Sequence, residues 1–567
     1  MGKRWQLAHA PYARAELAGV AGVAPLQVQL LRHRAVADAQ MRAWLAADPT
    51  LVSDPHALPD VDRAAAAIHA AIRAGQRLVI VGDCDVDGLT ATAIIAQTLR
   101  VLGADLAPAI VSPRLDDGRG LTMATVGEVQ RSGAHLCVTV DNGSASVDEV
   151  AALTAVGIDV IITDHHHLPT PPPAALALVN PQRADSHYPA PEISGAGVAL
   201  QLARVLLGDL ALTDARLTGS VELAGLGTLA DVVRMGPENH TLVARAVAQM
   251  SQQPRPGLAA LLQLLRIEGS VTPRDLAFGV SPRLNAAGRL GDPRVALELL
   301  TTDDPVRAAQ LTEELDAINS ERQRQTEAMV KTARDLAKDQ LERGDPIIFV
   351  KHAAGDGWQM GMVGLAAGRL ADDYGRLAVV VAENGANCRG SLRGPRGFDI
   401  GAVLAASDPP LGAAGGHAQA GGFSAPVAHL DALRAYLTRA YVAALGAQAA
   451  PTAPLMVDAE LPLAAITSDR ALLVMALAPF GAGFSEPTFV TTGVALSRVW
   501  GVGGSHTKLT ARDGNDYRTF FWRRTLPTDV PQEARVDIVW QMPSRLRDYE
   551  MRHHPEALVV AIFPHEV

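Results

Sequence analysis

The chain has 567 residues, 48% of them hydrophobic and 19% charged, with a formal net charge of −10. That is too long for one hydrophobic core and too apolar for a disordered chain, so three or four folded domains are expected, and the acidic balance provides no general basic surface for phosphate. No apolar run has the length of a membrane span, the first residues lack the apolar stretch of a secretory signal, and three scattered cysteines (Cys84, Cys137, Cys388) suggest neither a disulfide framework nor a zinc ribbon, so a cytoplasmic protein with no membrane partner is expected.

Residues 1–75 read as an alanine-rich helical segment, broken by the turn-rich "ADPTLVSDPHALPD". Over 76–235 short apolar strands alternate with helical patterns. "RLVIVGD", "LAPAIVS", "LCVTVDNG", "DVIITDHH" and "ALALVNP" are the strands, and the alternation predicts a parallel sheet wrapped by helices. Residues 236–345 are mostly helical and end in a charged stretch, 304–345, with the length and pattern of one exposed helix bridging two lobes. A second α/β lobe is expected over 346–446. After the linker "GAQAAPTAPLM", residues 452–567 read as a small β-barrel with the hairpin signal "TARDGNDY".

The chemistry gathers where apolar strands end. In open α/β sheets ligands bind beyond the carboxyl ends of the strands. "VIVGDCDVDG" carries Asp83, Asp85 and Asp87 two residues apart, which in an extended segment puts all three on one side. Two unit charges about 4 Å apart repel by roughly 4 kcal/mol at an effective dielectric near 20, so such a group calls for protons or cations. The twelfth position of the EF-hand pattern that starts here is Ile94, where that loop needs a bidentate glutamate, so an EF-hand is excluded. A further strand ends in Asp141, "DVIITDHHHLP" ends in Asp164, His165, His166 and His167, and a helical segment supplies Asp231. Carboxylates with imidazole and no thiolate favour Mn²⁺ or Mg²⁺ over a structural zinc, without separating those two metals. A pair of such ions sharing a carboxylate would activate a water and clamp a phosphoryl group.

"GDCDVDG", "VTVDNG", "TDHHHLP" and "GTLADVV" together resemble the four ordered motifs of the DHH phosphoesterase superfamily, and "GGHAQAGGFS" resembles the glycine-histidine motif of its associated second domain. With "GAGVA", "SPRLNAAGRLGDP", "GMVGLAAGRL", "RGSLRG" and "APFGAGFSEP", the chain is similar to the RecJ-type exonucleases of that superfamily. The resemblance implies a two-lobed α/β core, a DHH domain and a DHH-associated domain joined by a long helix, followed by an OB-like β-barrel. It implies a metal-dependent 5′-to-3′ exonuclease that hydrolyses single-stranded DNA to mononucleotides in DNA repair and recombination.

Carried over by position, the resemblance implies two divalent cations, one at Asp85 and Asp141 with Asp83 nearby, the other at Asp87, Asp141, His165 and Asp231. His166 would face the scissile phosphate as proton donor or charge stabiliser, Asp164 would orient the imidazoles, and His167 reads as loop. Arg114, Arg283 and Asn285 are the candidates for contact with the nucleotide backbone, and Ser391, Arg393 and His417 for a pocket holding the 5′-terminal phosphate. Single-strand-binding protein and a helicase are the implied partners. The family usually has tyrosine at Cys84, histidine at Gln359 and asparagine before the Glu-Pro of "GAGFSEP", departures that touch no implied metal ligand. Two other readings stay open: a small-substrate DHH phosphodiesterase acting on nano-RNA or dinucleotides, and a non-catalytic DNA-binding replication scaffold.

Overall fold

In the computed structural model the described residues are 5–10, 20–113, 120–355, 358–395, 397–412, 414–446, 454–503, 506–524 and 535–565. The first sheet is built from β2 (Arg77–Gly82), β3 (Asp105–Leu106), β4 (Ile110–Val111), β5 (Leu136–Val140), β6 (Asp159–Thr163) and β7 (Ala177–Val179). Their order is β3-β2-β5-β6-β7, with β4 also on β2, and all pairs are parallel. β2 and β5 are buried almost throughout, which is why they read as continuous apolar runs. The expected strand "LAPAIVS" is instead two two-residue pieces on the same edge of β2. Pro108 lies between them and has no N–H to give to the ladder.

The register of this sheet places the chemistry. Gly82 lies beside Val140, Val140 beside Thr163, and Thr163 beside Val179. The next residues, Asp83, Asp141, Asp164 and Asn180, therefore leave the sheet at one level on neighbouring strands, about 4.8 Å apart.

A helix of 38 residues, Pro305–Glu342, starts with Asp304 accepting a hydrogen bond from Val306 N–H and with proline at the position that tolerates it. Ala308, Leu311 and Leu315 pack in the core of the first lobe, while Met329, Val330, Ala333 and Ala337 pack under the second. One rigid element thus sets the spacing of the lobes. The second lobe is a five-stranded sheet of β8 (Ile348–Ala353), β9 (Ala378–Asn384), β10 (Asn387–Arg393), β11 (Ala414–His417) and β12 (Ala420–Pro426), in the order β11-β12-β10-β9-β8.

In the C-terminal part, β13 (Leu455–Val457) and β14 (Ala459–Glu460) precede β15 (Thr488–Val502), β16 (His506–Asp513), β17 (Asp516–Trp522), β18 (Arg535–Gln541) and β19 (Ala557–Pro564). Pairing runs β15-β16-β17-β19-β18 and closes through β18–β15, a five-stranded barrel with the OB arrangement. The expected hairpin is the β16–β17 turn, where Gly514 adopts a φ of +56°. Leu509, Phe520 and Trp522 point inward, whereas Tyr517 is 48% exposed. The N-terminal segment is tied to this end of the molecule: β1 (Trp5–Leu7) pairs in parallel with β13, and Arg34 forms an ion pair of 2.8 Å with Asp458. No helix among the described residues is long and apolar enough to cross a membrane.

Candidate metal centre and inter-lobe cleft

Asp83 and Asp85 lie in the loop between β2 and the helix Val86–Val101, and Asp85 caps that helix by accepting from Gly88 N–H. The three aspartates do not share one extended segment. Asp87 already belongs to the first helical turn, so the strand delivers Asp83 and the helix delivers Asp87. The outcome is two clusters. Asp83, Asp85 and Asp141 form one, Asp87, His165 and Asp231 the other, with the possible ligand atoms of each within 4.8 Å of one another.

Asp141 lies between them. Its backbone adopts φ +60°, a left-handed conformation uncommon for a residue with a Cβ and typical of over-determined functional positions. A hydrogen bond from its N–H to Thr163 C=O holds it there. Asp141 Oδ1 is 3.1 Å from His165 Nε2, which is also 3.8 Å from Asp87 Oδ2 and 3.7 Å from Asp231 Oδ2. Asp141 Oδ1 and His165 Nε2 are both buried, and neither has a hydrogen-bond partner among the described residues. Buried polar atoms are normally satisfied. Two such atoms aimed at one point among carboxylates fit a cation.

The carboxyl groups respond as this crowding requires. Burial raises Asp141 well above the carboxylate range, with the charges of Asp87 and Asp85 adding to the shift. Burial also raises Asp87, opposed by the charge of His165 and by N–H groups of Gly195 and Ala196 at 2.7 and 2.9 Å. Those N–H groups open the helix Gly195–Leu206, whose N-terminus favours an anion. Asp231 follows the last residue of the helix Thr218–Ala230, at the end whose dipole disfavours a carboxylate. Burial and then the charge of Asp87 lift it to about 7. A cation held among these carboxylates would favour their charged forms and so offset the upward shifts.

Asp164, whose carboxylate lies within 4.8 Å of possible ligand atoms of Asp141, His165 and His166, organises the histidines. Its carboxylate accepts from the N–H groups of His165 and Ser144 and lies 2.8 Å from His166 Nδ1. Burial opposes its charge, yet its bond to His166 and the nearby imidazoles hold it well below the usual range. Burial likewise works against a charged His166, but Asp164 raises that imidazole to about 9.

A cleft of about 650 Å³ runs from His166 and His167 to the second lobe, where Ser391, Arg393 and the glycines of β11 and β12 line it. Arg289 and Arg389 join Arg393 in the wall, and no acidic residue does among the described lining residues. A basic cleft thus coexists with an acidic protein. Ser391 Oγ donates to Gly421 C=O, and Arg393 donates to Ser391 Oγ and Leu392 C=O. Arg283 lies outside this wall, paired at 2.8 Å with Asp316. Asn285 accepts from Val86 N–H, so it buttresses the acidic loop. Arg114 and the side chain of His417 fall outside the described residues. Cys84 is packed, 2% exposed, against Gly288.

Sequence reasoning assigned no role to two contributors. Asn180, at the strand end in "ALALVNP", donates to Ser144 Oγ and to His166 C=O. Gly195 admits Asp141: a Cβ there would come within 2.4 Å of Asp141 Oδ1. The signals were present in "VNP" and "SGAGVA", but neither contains a charged residue.

A parallel sheet with carboxylates and histidine at its carboxyl edge, facing a second lobe across a basic cleft, defines a metal-dependent phosphoesterase of the DHH type. Residues 77–228 match the DHH family N-terminal domain, 345–443 the DHHA1 domain and 457–554 the RecJ OB domain. The single-stranded-DNA-specific exonuclease RecJ of Dickeya dadantii is 34% identical over 456 residues, 77% of this chain and 78% of that one. The RecJ of Bacillus subtilis is 29% identical over 546 residues, 95% of this chain and 68% of that one. The crystal structure of RecJ in complex with Mn²⁺ from Thermus thermophilus superposes with a TM-score of 0.82 at 27% identity, covering 100% of this chain and 80% of that one. Its complex with Mg²⁺ gives a TM-score of 0.74 at 26% identity, covering 100% and 79%. The chain belongs to the RecJ family.

Proposed function

We propose that the chain is an exonuclease that degrades single-stranded DNA from its 5′ end to mononucleotides in DNA repair and recombination, using two divalent cations, Mn²⁺ or Mg²⁺. The observation that carries this reading is Asp141, buried and strained between two acidic clusters at the mouth of a basic cleft. Asp83, Asp85 and Asp141 would hold one cation, and Asp87, Asp141, His165 and Asp231 the other. When bound, such cations acidify a water and neutralise the phosphoryl oxygens.

The chain's own groups do the rest. His166, held through Nδ1 by Asp164, presents its other face to the cleft and hydrogen-bonds the scissile phosphate or its leaving oxygen. Ser391, Arg393 and the glycine-rich β11–β12 hairpin, in whose sequence His417 stands, take the 5′-terminal phosphate, and this fixes both polarity and step size. Arg114, Arg283 and Asn285 belong to the path of the backbone, Arg283 by exchanging Asp316 for phosphate and Asn285 by bracing the acidic loop. On the barrel, Trp500, Lys508 and Phe521 lie in register on the outer face of β15, β16 and β17, with the Arg498 guanidinium 4.9 Å from the Trp500 ring. Such a face stacks unpaired bases. Proteins that keep DNA unpaired, a helicase and a single-strand-binding protein, suit this substrate. A reducing cytoplasm suits three buried free cysteines.

The test is degradation of 5′-labelled single-stranded DNA with Mn²⁺, beside duplex DNA, RNA and dinucleotides. Mononucleotide release from the 5′ end should disappear in Asp141→Ala. Undiminished release in that variant contradicts the metal assignment, and cleavage of dinucleotides alone assigns the chain to small substrates.

A further inference from the structure

A second cavity, of about 370 Å³, lies where the helical region of the first lobe meets the barrel, on the side of the "APFGAGFSEP" loop. Leu229, Val247, Phe278, Phe480, Glu486 and Met542 are among its walls. Phe278 is 72% exposed, a large apolar surface to leave in water. It is carried by a five-residue π-helix, Leu276–Val280, a conformation that is rare and recurs at functional sites. The Arg274 guanidinium lies 5.1 Å from the centre of its ring. An aromatic ring with a guanidinium beside it at the mouth of an apolar cavity is a stacking platform for a nucleic-acid base, tolerant of sequence because every base has a π-face. Glu486 supplies one carboxylate inside the cavity, with Arg274 as the cation whose charge acts on it. It is an acceptor for the amino and imino edges of a base.

The cavity is also close to the chemistry. Leu229 is two residues from Asp231 in the chain, and Phe278 precedes Asn285, which touches the acidic loop, by about 10 Å of helix.

We propose that this cavity receives an unpaired base of the substrate strand on the 3′ side of the cleavage point, stacked on Phe278 beside Arg274. The inference rests on the reading of the chain as a single-stranded-DNA exonuclease.

The experiment places one abasic site at a time along a 5′-phosphorylated oligonucleotide and measures kcat/KM with Mn²⁺ for the wild-type chain, Phe278→Ala and Phe278→Trp. One position should cost the wild type about tenfold. That cost should vanish in Phe278→Ala and return in Phe278→Trp, with dinucleotide cleavage equal in all three. An equal abasic cost in Phe278→Ala, or none at any position in the wild type, overturns the proposal and leaves the cavity to another occupant such as a partner's peptide. A wild-type chain inert on all single-stranded DNA defeats the underlying exonuclease reading instead.

Discussion

As a ligand of the proposed metal centre, Asp231 would make cation binding pH-sensitive. In the metal-free protein burial and the charge of Asp87 lift it to about 7. Binding a cation requires that proton to leave. At about pH 6 roughly nine in ten copies are protonated, and at about pH 8 roughly one in ten. This group alone therefore weakens the apparent Mn²⁺ affinity by up to about tenfold at the lower pH, and by less to the extent that water reaching its partly exposed carboxylate screens the shift. Asp87 and Asp141, also raised by burial, push in the same direction. Because the folded protein binds the Asp231 proton more tightly than the unfolded chain, its contribution to metal-free stability is full below about pH 4 and is lost as pH rises through about 7. Stabilisation by Mn²⁺ should grow across the same window. Calorimetric titration with Mn²⁺ at about pH 6, 7 and 8, with melting curves in parallel, reads both effects. Asp231→Asn should bind more weakly at about pH 8 and lose part of the slope. A wild-type affinity that does not change between about pH 6 and 8 refutes the reasoning.

Three further outcomes follow from single contacts. Gly195→Ala places a Cβ 2.4 Å from Asp141 Oδ1, so that carboxylate or the helix must move; Mn²⁺ affinity should fall at least tenfold in a protein that still melts cooperatively, as titration and circular dichroism will show. Asp164→Asn removes the charge that holds His166 at about 9, so the imidazole should titrate nearer its ordinary range by NMR and kcat should drop about a hundredfold. Arg393→Ala should raise KM for a 5′-phosphorylated strand about 10- to 100-fold and leave a 5′-hydroxyl strand far less affected; equal losses on both strands count against a terminal-phosphate pocket.

Much of this centre is legible in the sequence because buried parallel strands are written as plain apolar runs, and the residue that ends each run is then conspicuous. Asp83, Asp141 and Asp164 stand out in that way, and the register of β2, β5 and β6 brings them level. The long helix Pro305–Glu342 is legible for a similar local reason, its charge pattern and its Asp-Pro start. Asp87 is only half legible: alternation predicts the right side for it, but the helix beginning at Val86 supplies the geometry. What depends on distant partners leaves no local mark. The N–H groups of Gly195 and Ala196 on Asp87 and the pairing of β1 with β13 join segments far apart in the chain, and the amide of Asn180 under the His166 backbone joins the ends of two neighbouring strands. Arg283 shows the converse, since its motif signals phosphate while the fold gives it Asp316. The cleft arginines 289 and 389 are ordinary residues until the two lobes face one another.

Anomalous diffraction from crystals grown with Mn²⁺ tests most directly whether Asp141 joins two cations. Two peaks should flank its carboxylate, one within ligand distance of Asp83 or Asp85, the other of Asp87, His165 and Asp231. A lone peak on one side only, or none within reach of Asp141, would contradict the two-cation centre.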